Sequence, residues 1–164
     1  RNQFMAQWQG QEPALADGLE QGLADAGVPA HLVGEGYAHR AHWHARDEHW
    51  IEAAARSAFI VSAPGMAALS IAAVYRKPIL LLLTDQPEQA INAGPAAQLG
   101  LAHRVVVWRG DARKFARAVA AAASELLDLP DGEANASEGR QAAIDRLRHW
   151  TGLLSALAET VRGS

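Results

Sequence analysis

The chain has 164 residues, 49% hydrophobic and 20% charged, with no cysteine and a formal net charge of −3. That length suits one domain with a sizeable core. The composition excludes a disulfide framework and cysteine metal sites, and the slightly acidic balance argues against the broad basic footprint of a nucleic-acid binder. No apolar run reaches the roughly 18 residues of a membrane span and no secretory leader is visible, so the cytoplasm is the expected compartment. The chain opens Arg-Asn-Gln-Phe, which fits a piece of a longer protein, a processed product or a true start at Met5.

In chain order, Phe4–Trp8 reads as a short strand with Gly10 at its turn. Pro13 opens a helix that runs to Ala26, with Gly27 as the residue past its end. Ala30–Val33 reads as a second strand ending at Gly34-Glu35-Gly36. The segment His39–Trp50, HRAHWHARDEHW, reads as a loop, and Glu48–Arg56 as a short helix with Ile51 and Ala55 on one face. Phe59–Val61 and Ile79–Leu83 are apolar without alternation, which suits strands covered on both faces of a parallel sheet, and both are expected at its centre. Between them Pro64-Gly65 ends the first strand and Lys77-Pro78 closes a helix of small residues. Gln89–Leu99 reads as a helix capped by Gly100, and Val105–Trp108 as the last strand. Asp111 caps an Ala-rich helix to Leu127. Residues 129–139 are rich in turn formers and acids, and Gln141–Val161 carries an apolar helical stripe of Ile144, Leu147, Leu154, Leu157 and Val161.

Strands interleaved with helices predict an α/β fold, a Rossmann-like three-layer sandwich with a parallel sheet. The expected organisation is a Rossmann-like domain over residues 1–128, a loop over 129–139 and a C-terminal helix over 140–164. The polar residues gather after the strands, in Ser62–Gly65 and Thr84–Gln89. In open α/β sheets ligands lie at that carboxyl edge, where helix N-termini offer N–H groups to anions.

Ser62, Gly65, Pro78, Asp85, Gln86, Gln89 and Asn92 fall in the register of a serine–glycine turn, a proline-led apolar strand and a closing Asp-Gln-x-x-Gln-x-x-Asn. In this the chain resembles the C-terminal, donor-binding domain of GT-B glycosyltransferases, the group of the peptidoglycan N-acetylglucosaminyltransferase and the UDP-glycosyltransferases. The likeness extends more loosely from Gln9 to Leu127. It departs from that pattern at Ala63, where many relatives carry His, at Ile71, where the family's ribose-holding glutamate falls, and at Arg76, where the family has glycine.

The resemblance implies a nucleotide-sugar, a UDP-sugar, as substrate, with no resident cofactor and no metal. Its diphosphate would meet backbone N–H groups at Gly10 and at Gly65, Met66 and Ala67, with Ser62 in the same phosphate- or ribose-contacting turn, and its sugar would meet Asp85, Gln86, Glu88 and Gln89. The simpler readings are turn geometry at Gly10 and Gly65 and helix capping by Thr84 and Asp85. Trp43 or His44 is a candidate to stack on the base, and His42, His44 and His49 lack the helical i,i+4 spacing of a metal pair. No catalytic residue is assigned, because in the family the base lies in an N-terminal acceptor domain. The implied partners are therefore that domain or a separate subunit, with membrane contact only through it, and self-association through the half-cleft. A degenerate GT-B domain acting as a non-catalytic binding or assembly module remains the alternative. An epimerase of the same architecture fits the Asp-Gln-Pro-Glu-Gln segment less well, and the absence of Gly-x-Gly-x-x-Gly after the first strand disfavours a dinucleotide dehydrogenase.

Overall fold

The structure, a computed structural model, describes residues 13–84 and 94–129. The strand at Phe4–Trp8, the loop at 129–139 from Pro130 onward and the helix over Gln141–Val161 lie outside the described residues. Within them the order is α1 (Pro13–Asp25), β1 (Leu32–Val33), a 3-10 turn (Glu35–Tyr37), β2 (Trp43–His44), α2 (Trp50–Arg56), β3 (Ile60–Ser62), α3 (Met66–Tyr75), β4 (Ile79–Leu83), β5 (His103–Val107) and α4 (Ala112–Leu127). Residues 94–98 are also helical. All strand pairs are parallel: β1 with β2, and a three-stranded sheet in the order β3-β4-β5. The fold is α/β with parallel sheets, as the alternation of apolar runs and helical stretches predicts.

β4 is the axis of the structure. It is flanked on both sides, and every one of its residues is buried. Its alternate side chains feed two cores. Leu80 and Leu82 join α1, α4, Trp43 and Tyr37, while Ile79, Leu81 and Leu83 join Leu69 and Ala72 of α3 with Ala96. Helices therefore cover both faces, which is why this run shows no polar alternation. β3 differs from expectation: among the described residues it pairs only with β4, and its three residues are half-buried rather than central.

The ends of the helices follow their local chemistry. Gly27 takes φ +68 past α1, and the N–H groups of Gly27 and Val28 close on the carbonyls of Ala24 and Leu23. Asp111 caps α4, its carboxylate accepting from the Lys114 N–H at 3.0 Å, and that hydrogen bond holds the acid below the usual carboxylate range.

α1 and α4 lie side by side and run in the same direction. Gly18 faces Ala112 and Phe115, and Gly22, one turn on, faces Ala116 and Val119. The absence of side chains at both positions lets the backbones approach closely.

The segment between β1 and α2 is more ordered than its composition suggests. Residues Trp43 and His44 form a strand in register with Leu32 and Val33. Trp43 is buried against Tyr37, their rings 4.8 Å apart. Its indole N–H donates to Glu20 Oε1 at 2.6 Å, and Arg40 donates to the same oxygen at 2.8 Å while also pairing with Asp17. The anchor on α1 lies more than twenty residues upstream, so no local pattern announces this strand.

Arg76 ends α3 with φ 48 and ψ 42, the left-handed region, and it is the non-glycine residue with positive φ among the described residues. The N–H groups of Arg76 and Lys77 both return to the Ala72 carbonyl. A side chain with a Cβ is strained there, and glycine is not. Arg76→Gly should therefore be more stable than Arg76→Ala by about 1 kcal/mol. Both variants lack the arginine side chain, so the comparison isolates the backbone; urea unfolding that places Ala at or above Gly would refute the left-handed assignment.

Candidate functional site

The carboxyl edge of the three-stranded sheet is built from the ends of β3, β4 and β5. Ser62 closes β3, half-buried and in register with Leu81. Ala63 and Pro64 are buried, and Gly65 then serves as N-cap of α3 in an extended conformation, φ −121 and ψ 144, with no side-chain cap. The Gly65 N–H donates to the Ala63 carbonyl at 2.8 Å. It is therefore committed to the turn and is not a free donor, contrary to what the strand–turn–helix pattern implies. The first N–H groups of α3, on Met66 and Ala67, make no backbone hydrogen bond among the described residues. No acidic side chain lies in that first turn. Among the described residues the edge thus presents donors without an acceptor and the positive end of a helix dipole.

β4 leaves the sheet at Thr84. Asp85, Gln86, Glu88 and Gln89 follow directly in sequence and lie outside the described residues, as does Gly10. On the other side of β4, the Trp108 N–H donates to the Leu83 carbonyl at 2.7 Å, and the Trp108 ring meets Phe115 edge-on at 5.2 Å. The chain then turns through Arg109 and Gly110, the latter with φ +80, into α4. Of the expected site residues, the structure brings Ser62, Gly65, Met66 and Ala67 together at one turn.

Ile71 sits one turn beyond the start of α3 and is half-buried. Its side chain offers no acceptor, so nothing at this position can take a hydroxyl hydrogen bond.

Of the two candidates to stack on a base, the structure removes Trp43 and leaves His44 exposed. Trp43 turns inward and its faces are unavailable to a ligand. His44 is exposed and its ring lies 5.1 Å from that of His31, whose Nε2 is 2.9 Å from Asp47 Oδ2. The His49 backbone N–H donates to Asp47 Oδ1, and this hydrogen bond, followed by that of His31, lowers the acid's pKa. Among the described residues no group of three or more His, Asp or Glu is arranged to hold a metal ion. A shallow depression of about 260 Å³ opens between α1 and β1, lined by Leu23, Val28, Leu32 and Glu20, away from the carboxyl edge.

One feature of the edge escaped the sequence reading. Arg109, Arg113, Lys114 and Arg117 crowd the loop into α4 and its first turns, all exposed. Their signal is cations at the start of a helix, where carboxylates are the favoured residues. Among the described residues, no helix is long and apolar enough to cross a membrane. The chain matches no protein-family model, no curated protein and no solved structure.

Proposed function

We propose that the chain is the donor-binding half of a GT-B-type glycosyltransferase. It would hold a nucleotide-sugar, a UDP-sugar, whose hexose or N-acetylhexosamine passes to an acceptor hydroxyl carried by a separate domain or subunit. The observation that carries this reading is the βαβ unit from Ile60 to Leu83. Its serine closes one strand, its Gly65 opens α3 with the next N–H groups uncommitted, and its proline leads a fully buried strand toward Asp85-Gln86. The left-handed Arg76 adds support, since the family's glycine at this position is what such a backbone favours.

In this reading the diphosphate lies on the N–H groups of Met66 and Ala67, and the transferred sugar meets Asp85 and Gln89. Exposed Met66, Trp50 and Ile51 stand at the N-terminal ends of α3 and α2, the ends that flank the strand carboxyl edge in a parallel layer fold. Apolar exposure there fits a partner half that closes over the edge. With no catalytic base assigned to this half, the isolated chain should bind a donor without transferring its sugar.

Because Ile71 offers the ribose nothing, the affinity of the isolated chain for a UDP-sugar should be weak, on the order of 1 mM, or about −4 kcal/mol. Ile71→Glu should tighten it by about 1.5–3 kcal/mol, the worth of a hydrogen bond to a charged group. NMR titration with UDP-N-acetylglucosamine and UDP-glucose reads both the affinity and the residues that shift. Shifts confined to the Ser62–Ala67 turn and the Asp85–Gln89 segment are expected. Shifts elsewhere, or silence in both Ile71→Glu and Gln89→Ala, would instead favour the second reading, a degenerate domain used for binding or assembly, which Ile71 and Ala63 support.

A further inference from the structure

The charges on the solvent face of α4 are segregated along its axis. Arg113, Lys114 and Arg117 occupy its first turns, with Arg109 just before them, while Glu125 and Asp128 stand at its far end. The Asp111 cap aside, this is the reverse of what the helix dipole favours: there is no acid in the first turn and no base in the last. Arrangements that oppose the dipole cost stability, so this one calls for a compensating role. Elsewhere Arg40, Arg46 and Arg104 close ion pairs with carboxylates. Arg109, Arg113 and Arg117 have no such partner among the described residues, and Lys114 reaches only its own cap, Asp111, at 3.5 Å. The carboxylates of Asp17 and Glu20 on α1 are taken up by Arg40.

From this we infer that the basic end of α4 docks on an anionic lipid surface. The exposed face of α4 just beyond the cations carries only alanine, Ala118 and Ala121. Along these turns α4 itself carries neither the aromatic or large apolar anchors that a folded protein partner buries nor the exposed rings on which single-stranded nucleic acid stacks. A headgroup layer needs neither. It attracts clustered Lys and Arg by charge alone, within about 10 Å at moderate salt. The acidic far end of α4 is repelled by the same field, so the helix is oriented with its N-terminus toward the lipid. With a chain net charge of −3, the attraction belongs to this face and not to the protein as a whole. The inference is independent of the donor-site reading, although it would turn the carboxyl edge toward the membrane.

Co-sedimentation of the full chain with vesicles provides the test. Binding is expected to phosphatidylcholine vesicles containing phosphatidylglycerol, and not to phosphatidylcholine alone, and it should vanish at high salt. The double variant Arg113→Glu/Arg117→Glu should lose about tenfold or more in partition, given the attraction per basic residue near such a surface. The same variant should melt higher than the parent, because acids now stand in the first turns, which rules out unfolding as the cause of lost binding. Arg56→Glu, a charge reversal on exposed α2, should bind nearly as well as the parent. Equal binding to neutral vesicles, no loss in the double variant, an equal loss in Arg56→Glu, or tighter binding to duplex DNA than to the anionic vesicles would each overturn the inference.

Discussion

Gly22→Ala is expected to destabilise the fold by about 1–2 kcal/mol, the upper part of the cost of inserting a methyl group into a closed helix contact, less the gain in helix propensity. A Cβ at Gly22 would lie 2.6 Å from the Ala116 carbonyl oxygen and 2.7 Å from Val119 Cβ. The first of these is backbone, so no rotamer change relieves it, and α1 and α4 must move apart. Val119 is fully buried beneath the contact, along with Leu15 of α1. Gly18→Ala makes an internal control. Its nearest contacts are 3.0 Å, one of them the Phe115 ring, which can tilt. Its cost should be within about 1 kcal/mol of zero, since alanine's propensity offsets a modest displacement. Urea unfolding of both variants decides the matter; a Gly22→Ala protein as stable as the parent would mean that the two helices are not packed at this distance.

Leu81→Ala is the second large effect, a loss of about 3 kcal/mol within the 2–5 expected for a buried leucine. Leu81 is fully buried at the middle of β4, with Leu69 and Ala72 of α3 in the same core. Its register partner across the sheet is Val105, which is 43% exposed. Val105→Ala should change stability by less than about 0.5 kcal/mol, as surface substitutions usually do. Adjacent positions on one sheet should thus differ severalfold in sensitivity, because α3 and residues 94–98 cover β4 and leave part of β5 open. Equal effects at the two positions would contradict the placement of that second core.

The donor-site reading and the sheet share a dependence on β4. Thr84 leaves the sheet only where Leu83 is held, and Leu83 holds Trp108 through its carbonyl. A variant weakened at Leu81 should therefore lose any ligand binding at the carboxyl edge together with its fold, whereas Ile71→Glu should alter binding without large loss of stability. The pair separates a structural effect from a recognition effect.

The sequence by itself determined the elements whose signals are local. Ile79–Leu83 is an unbroken apolar run and forms a strand over those same residues, because helices cover both of its faces. α4 is announced by the Asp111 cap and its alanine-rich run, and α1 by Pro13 and Gly27, since capping and turn chemistry act within a few residues. The serine–glycine turn was legible for the same reason. Only the tertiary structure decided that Trp43 and His44 form a strand, because its stabilising partners are Leu32 and Val33 across the ladder and Glu20 on a distant helix. Only it decided that the Gly65 N–H is spent on Ala63, that β3 is half-buried, and that Gly18 and Gly22 mark a close helix approach. Each of these depends on which backbone lies opposite, and spacing along one chain carries no information about its neighbour across the fold. The reversed charge order of α4 was present in the sequence throughout; it acquired meaning once those cations were seen to lie exposed and, Lys114's contact with its own cap aside, without a paired carboxylate among the described residues.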